Sequence, residues 1–291
     1  MTDSPGSVQR WVLAARPRTL PAAAVPVVVG VAIFRAQGIN WLSSVLCLVV
    51  ALALQVGTNY ANDYSDGIRG TDEVRVGPFR LTASKLVPAK NVRNAAFTWF
   101  FVAALAGLWL ASRSSWWFLA IGATAVAAGW FYTGGPKPYG YFGFGELFVF
   151  IYFGVVATVG TGFAQHQTLV AKSWWMGIAT GFMACALLEA NNLRDVAGDQ
   201  AAGKKTLAAR LGRKRASYLY AVCVGGCAVA IGASGHIVVG LVSLALYVRP
   251  LRLAFSDKNG RELLPMLKYS AQTQLQLGVL LVLVLGLKVP L

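Results

Sequence analysis

Nine long apolar segments limit this chain to a bundle of helices that spans a membrane. Each approaches the length of about 20 residues that a helix needs to cross a bilayer. Only 13% of the 291 residues are charged, whereas about 25% of a soluble domain is charged. The mean hydropathy is +0.58. We expect an all-α, polytopic membrane protein that forms a single domain over residues 1–291. The segments cover 19–36, 42–60, 94–112, 116–132, 144–164, 174–192, 218–235, 237–255 and 270–287.

The distribution of basic residues predicts the orientation of these segments. If the N-terminus is cytoplasmic, all but four of the 26 lysines and arginines lie on the inner side, as the positive-inside rule requires. The four on the outer side are Arg35, Arg113, Lys172 and Lys288. An odd number of helices is needed to place Lys288 outside. The sequence therefore predicts nine transmembrane helices with the C-terminus outside, and it relates the net charge of +15 to the membrane and not to nucleic acid.

Carboxamides and carboxylates recur at helical spacing after the second segment and at the end of the sixth. They are Asn59, Asn62, Asp63 and Asp66 in the first cluster, and Asn191, Asp195 and Asp199 in the second. In the second cluster the spacing is i, i+4, i+8, so the three side chains share one face if the helix continues. The first cluster contains a similar row. Two such clusters on one side of the membrane favour a functional site over two ordinary helix ends.

The chemistry of the two acidic rows predicts a metal site. Facing carboxylates without a counter-ion repel each other and are costly near hydrocarbon. Divalent cations between the carboxylates turn this repulsion into attraction. Mg²⁺ typically binds one or two carboxylates together with water and phosphate oxygens. We interpret Asp63, Asp66, Asp195 and Asp199 as candidate catalytic metal ligands that hold a diphosphate. Two alternatives remain open at this point: solvated helix ends, and local pairing of Asp195 with Arg194.

Each cluster is followed by a long loop rich in lysine and arginine. A bound diphosphate or an acidic substrate requires such cations, although anionic lipid also attracts them. The sequence does not divide these tasks among the candidates, which are Arg69, Arg80, Lys85, Lys137 and Lys204. A nucleotide-binding loop at Gly198–Lys204 is excluded because position 205 is Lys where Ser or Thr is needed.

Two further groups are candidates inside or near the membrane. Glu146 and Glu189 lie inside or at the inner ends of the fifth and sixth segments, where a carboxylate is a functional candidate or the partner of Lys137 or of a helix end. The loop 132–141 carries three tyrosines, among them Tyr139, whose ring could shield a cation or simply pack. The four cysteines lie in apolar stretches, and we interpret them as buried small residues.

The motifs resemble those of the UbiA-type intramembrane prenyltransferases, in particular the branch that prenylates a dihydroxynaphthoate. The resemblance extends over most of the chain. The stretches that carry it are 15–21 (Ala-Arg-Pro-Arg-Thr-Leu-Pro), 57–64 (Gly-Thr-Asn-Tyr-Ala-Asn-Asp-Tyr), 75–78, 132–140, 191–195 (Asn-Asn-Leu-Arg-Asp), 203–204 and 206–207.

The resemblance implies a nine-helix bundle with a central cavity capped by two Asp-bearing cytoplasmic loops. It implies a Mg²⁺-dependent enzyme of a bacterial cell membrane that transfers a polyprenyl group from polyprenyl diphosphate to 1,4-dihydroxy-2-naphthoate. Diphosphate and CO₂ are released, and the product is the demethylmenaquinol of menaquinone biosynthesis. By position, the resemblance assigns the metal and diphosphate site to Asn59, Asp63, Asp66, Asn191, Asp195 and Asp199. Together with the candidates from the residues themselves, we predict as catalytic residues Asp63, Asp66, Asp195, Asp199 and Lys137. The predicted substrate-binding residues are Asn59, Asn62, Arg69, Arg80, Lys85, Asn191, Lys204 and Tyr139.

One position departs from the superfamily pattern, and two alternative functions remain. The superfamily often places a further Asp where this chain has Gly70, so a role of Asp72 as a metal ligand stays open. The enzyme could act on another aromatic acceptor, such as 4-hydroxybenzoate. A cation-coupled transporter is less favoured, because it would need acids near the bilayer midplane and these acids lie at one edge.

Overall fold

The computed structural model of the chain describes residues 6–71 and 79–286. In these two ranges every regular element is a helix, which confirms the all-α prediction. The α-helices are α1 (Ser7–Ala14), α2 (Pro21–Ile33), α3 (Trp41–Ile68), α4 (Ala89–Arg113), α5 (Trp117–Phe131), α6 (Gly145–His166), α7 (Ala171–Ala201), α8 (Leu207–Ala233), α9 (Ile237–Leu246), α10 (Val248–Ala254) and α11 (Leu264–Gly286).

Within the described ranges, five helices are long and apolar enough to cross a membrane. They are α3, α4, α6, α8, and α11 together with the short turn before it. Two bent pairs raise the number to seven if each pair is one span: Ser7–Thr19 with α2, at 53°, and α9 with α10, at 50°. The 15-residue α5 and the 31-residue α7 are outside this count. The structure therefore gives a multi-span helical membrane protein, whereas nine spans remain a prediction.

The bend between α9 and α10 divides a segment that the sequence analysis treats as one helix. Pro250 lies in the first turn of α10, and it has no N–H to donate to the carbonyl of Leu246 four residues earlier. That carbonyl instead accepts a hydrogen bond from Thr273 Oγ1 of α11, at 3.1 Å. The bend thus has a local cause in the sequence, and α11 satisfies the group that it frees.

Two helices continue beyond their apolar segments and carry the acidic clusters with them. Helix α3 ends at Ile68 and α7 at Ala201, so the apolar segments 42–60 and 174–192 end about two turns too early. All four aspartates of the predicted site therefore lie on helices. The two Asp-bearing cytoplasmic loops implied by the resemblance remain a prediction, since Asp72 lies outside the described residues.

Helices α6 and α7 pack with their backbones in contact. A Cβ atom added at Gly154 would lie 2.2 Å from Cα of Gly181 and 2.4 Å from its amide nitrogen. Gly154 belongs to a π-helical turn, Phe150–Val156. Small residues allow this kind of close approach between membrane helices. The contact holds α7, with its acidic cluster, against α6.

We expect Gly154→Ala to destabilise the protein, because the added methyl group meets rigid backbone. Overpacking of this kind typically costs about 1–3 kcal/mol. Gly225→Ala in α8 is the matched control, since no described atom lies within 4 Å of a Cβ there and alanine is the better helix former. Thermal unfolding of the purified variants in detergent measures the effect. Equal unfolding temperatures for both variants would contradict the packing described here.

Candidate active site

The bundle encloses a cavity of about 1120 Å³, with an apolar wall and a polar end. The apolar wall comes largely from α3, α4, α5 and α6. Eight of the predicted site residues line the cavity: Asn59, Asn62, Asp66, Arg80, Tyr139, Asn191, Asp199 and Lys204. Five do not appear in the described wall: Asp63, Arg69, Lys85, Lys137 and Asp195. A space of this shape suits a long apolar molecule with an anionic head.

The polar end of the cavity consists of Asp66 and the groups around it, Lys204, Arg80 and Tyr141. Asp66 is 2% exposed, and its Oδ2 lies 3.2 Å from Lys204 Nζ and 4.0 Å from an Arg80 nitrogen. The hydroxyl of Tyr141 donates to its other oxygen, Oδ1, at 2.6 Å. Burial, and then the charge of Asp66, raise the pKa of Tyr141, so the phenol stays protonated as a donor at neutral pH. Lys204 also lies over the Tyr141 ring, 4.7 Å from its centroid.

The turn between α7 and α8 brings the second acidic cluster to the first. The amide of Lys204 donates to the carbonyl of Asp199 at 2.8 Å, across Gly203 in the left-handed region. Thr206 caps α8 and also donates its hydroxyl to Asp199 Oδ2, at 3.3 Å. The side chain of Lys204 can therefore reach Asp66 while Asp199 stays on the cavity wall. Asp66 of the first cluster and Asp199 of the second thus line the same cavity, and Lys204 pairs with Asp66.

The other two aspartates are engaged away from the cavity. Asp63 accepts hydrogen bonds from the amides of Leu81 and Thr82, at 2.8 and 2.9 Å. Asp195 accepts two from Arg194, both at 2.7 Å. The sequence left a local Arg194–Asp195 pair open, and the structure has it. In residues 6–71 and 79–286 no three acidic, cysteine or histidine side chains converge where they could hold a metal ion.

Three of the predicted cationic residues lie outside the polar end. Arg69 is exposed and donates to the carbonyls of Thr133 and Gly135. Lys85 and Lys137 are exposed as well. Roles for these three side chains in substrate binding remain predictions. The question about Asp72 concerns a residue outside the described part of the chain.

The asparagines of the first cluster connect α3 to its neighbours. Asn59 donates to the carbonyl of Ala15 at 2.8 Å, which holds the bend before α2 against α3. Asn62 accepts a hydrogen bond from the Thr133 hydroxyl at 2.8 Å. In the second cluster, Asn191 only reaches the carbonyl of Leu187, at 3.4 Å. These contacts fix two amides at the cavity wall and leave Asn191 less constrained.

Several residues of the polar end were not predicted from the sequence. Arg16, Arg18, Arg194 and Tyr141 all line the cavity, and none was a predicted site residue. Three of these four belong to stretches that carry the family resemblance, and the fourth, Tyr141, follows directly after one. The sequence does not show that α1 and the loop 132–141 pack close to α3, so these residues could not be assigned to the site.

We expect Asp63→Asn to lower the free energy of unfolding and to have little effect on the dependence of activity on divalent cation. The new amide group cannot accept from both Leu81 and Thr82, and an unsatisfied buried donor costs about 1–3 kcal/mol. Asp257→Asn in an exposed loop serves as the control. Thermal unfolding and the dependence of activity on divalent cation measure the two effects. Unchanged stability with lost metal dependence would identify Asp63 as a direct ligand and overturn this assignment.

Three comparisons relate the chain to known proteins. It is 48% identical over 267 residues to the 1,4-dihydroxy-2-naphthoate octaprenyltransferase of Mycobacterium tuberculosis. The aligned region covers 90% of this chain and 91% of the relative. Identity to the protein of the same name from Mycobacterium leprae is 43%, with the same coverage. The structure of a UbiA homologue from Archaeoglobus fulgidus bound to GPP and Mg²⁺ has the same fold, with a TM-score of 0.68 at 14% identity, over 94% of this chain and 99% of that one. The model of the UbiA prenyltransferase family matches residues 23–285. The chain belongs to the UbiA prenyltransferase family.

Proposed function

We propose that the protein transfers a long polyprenyl group from polyprenyl diphosphate to 1,4-dihydroxy-2-naphthoate, with release of diphosphate and CO₂. The product, a demethylmenaquinol, belongs to menaquinone biosynthesis. The observation that carries this proposal is the 48% identity to a relative named for this acceptor. A cavity with one cationic end and one apolar wall supports it independently, because the donor has an anionic head and a long apolar tail.

The polar end supplies the contacts for the diphosphate. Lys204 and Arg80 lie beside Asp66, and Arg16, Arg18 and Arg194 line the same cavity. Arg194 is paired with Asp195, but the other four cations still outnumber the two carboxylates of the wall, Asp66 and Asp199, so the end as a whole attracts an anion. The prenyl chain would lie along the apolar wall. Such a fixed set of donors stabilises negative charge as it develops on a leaving group.

The residues of the polar end fit a divalent cation. Asp66 and Asp199 offer carboxylate oxygens, and Lys204 already places a positive charge 3.2 Å from Asp66. Mg²⁺ needs only one or two carboxylates when water and phosphate oxygens complete its shell, so a third acid is not required. We assign Asp66 and Asp199 to the ion, which when bound would neutralise charge on the departing diphosphate. The A. fulgidus homologue is bound to Mg²⁺.

Carbon–carbon bond formation follows from departure of the diphosphate. The C–O bond of the donor breaks. The ring carbon that bears the carboxylate then attacks the allylic carbon of the donor. CO₂ then leaves, and its bonding electrons restore the aromatic ring. In the cavity, Tyr139 stacks on Phe148 with 4.1 Å between ring centroids, and Tyr152 follows. These faces stabilise a cation and exclude water that would quench it.

We expect Asp66→Asn and Asp199→Asn each to lower kcat/KM by about 100-fold or more, because both remove negative charge from the proposed Mg²⁺ site. Lys204→Met should raise the KM for the donor about tenfold or more, the effect of one lost charge-assisted hydrogen bond. Asp257→Asn is the control. The assay uses purified protein, labelled polyprenyl diphosphate and 1,4-dihydroxy-2-naphthoate, with and without Mg²⁺.

Two results of that assay would contradict the proposal. Full activity in both aspartate variants would mean that these carboxylates are structural. Turnover of 4-hydroxybenzoate without turnover of the naphthoate would assign the enzyme to another acceptor.

We also propose nine spans, by adding α5 and α7 to the seven that length and composition support. The N-terminus is then cytoplasmic and the C-terminus outside. Cysteine labelling of whole cells tests this, since all four native cysteines are buried. Thr168→Cys should react with an impermeant maleimide from outside, and Lys258→Cys only after permeabilisation. The reverse pattern, or labelling of both from outside, would refute the topology.

A further inference from the structure

Two glutamates that the mechanism does not use lie side by side within the bundle. Glu189 of α7 is fully buried, and the side chain of Glu146 of α6 is within hydrogen-bonding distance of it. Each has a buried oxygen, Oε2, for which the described residues supply no hydrogen-bond donor. Neither glutamate lines the described wall of the cavity. Two buried acceptor groups this close to each other need a hydrogen-bond donor between them.

A shared proton satisfies this arrangement. Two ionised carboxylates at this distance would repel strongly in an apolar interior, whereas a pair that keeps one proton forms a hydrogen bond between its members. The pair then carries a single negative charge and accepts further hydrogen bonds. It remains a buried negative group directly behind the cavity wall.

Asn192 stands between this pair and the cavity. Its Nδ2 donates to Glu146 Oε1 at 2.9 Å and to Glu189 Oε1 at 3.3 Å. Both protons of the amide group are therefore used, and the orientation of the amide is fixed by two acceptors. The side chain is only 9% exposed and lines the cavity. The atom that remains for a ligand is the carbonyl oxygen Oδ1.

The charge and the surroundings of Asn192 define what it can bind. An amide oxygen backed by a negative pair repels a diphosphate and favours a neutral hydrogen-bond donor. Asn192 is seven residues from Asp199 on the same helix, which is about 10 Å along its axis. The wall of the same cavity includes the aromatic rings of Tyr132, Tyr139 and Phe148, which contact one another in turn. A hydroxyl group on a flat aromatic ring meets all of these conditions.

We propose that Asn192 accepts a hydrogen bond from a ring hydroxyl of the aromatic acceptor, and that the Glu146–Glu189 pair is a positioning device for its amide. The inference rests on the proposed function and names the residue that selects a hydroxylated acceptor. As the ring attacks the allylic carbon its hydroxyl becomes more acidic. The hydrogen bond to Asn192 therefore strengthens in the transition state, which promotes the reaction.

Binding without turnover tests the role of Asn192. Isothermal titration calorimetry, with no donor present and oxygen excluded, compares 1,4-dihydroxy-2-naphthoate with 2-naphthoate, which has no hydroxyl. The wild-type protein should bind the dihydroxy compound about tenfold more tightly, the effect of one good hydrogen bond. Asn192→Ala should lose this preference and bind 2-naphthoate as before. A preference that survives in Asn192→Ala, or none in the wild type, overturns the proposal.

Two substitutions at Glu189 separate positioning from direct proton transfer. Glu189→Gln retains an oxygen for Asn192 and supplies an N–H donor to Glu146, so acceptor preference and turnover should stay within about threefold of wild type. Glu189→Leu removes the acceptor and should reduce the preference as Asn192→Ala does. The infrared C=O band of a protonated carboxyl group should be present in wild type and absent in Glu189→Gln.

Each outcome at Glu189 has one meaning. Inactive Glu189→Gln with normal acceptor binding would show that the pair takes up a proton itself and does not act by positioning. A Glu189→Leu variant that folds and keeps the preference overturns the proposal. If Glu189→Leu does not fold, Glu189→Gln and Asn192→Ala still decide. If the wild-type protein does not turn over the naphthoate, only the proposed function is refuted. The binding measurements still test the role of Asn192, because they do not depend on turnover.

Discussion

The ion pair between Lys204 and Asp66 joins the two halves of the polar site. Asp66 belongs to α3 and Lys204 to the turn after α7, so this contact connects helices that are more than 130 positions apart in sequence. It is buried, and a buried charge is tolerated only when a partner of opposite sign lies close by. The hydrogen bond from Tyr141 to the second oxygen of Asp66 completes the arrangement. The polar end of the cavity is thereby fixed in place, and Arg16, Arg18 and Arg80 on the same wall make it cationic.

The four aspartates share a spacing but not a role. Asp66 and Asp199 line the cavity, whereas Asp63 holds the amides of Leu81 and Thr82, and Asp195 holds Arg194. Neighbouring carboxylates on one helix point in different directions and meet different partners. One member of each pair thus stabilises the scaffold, which leaves the other for chemistry. This division lets the proposed Mg²⁺ binding and structural anchoring coexist in so short a stretch.

The class of fold and the region of the candidate site could be predicted from the sequence because both follow from local patterns. Apolar length defines helices, and i, i+4 spacing placed Asp66 and Asp199 on the ends of α3 and α7. Pairings between distant residues could not be predicted in this way. The contact of Tyr141 with Asp66 and the burial of Glu146 beside Glu189 depend on how helices pack. Lys137 illustrates the converse: its sequence context favours a site residue, yet the fold leaves it exposed.

The measurement that tests this account most directly is an experimental structure of the protein with Mg²⁺ and a non-hydrolysable polyprenyl thiodiphosphate. We expect the diphosphate at the polar end of the cavity, with its oxygens in contact with Lys204 and the metal ion held by Asp66 and Asp199. The prenyl chain should lie along the apolar wall. A diphosphate bound instead at the exposed Lys85 or Lys137, with neither a metal ion nor a phosphate oxygen at Asp66 and Lys204, would contradict the account.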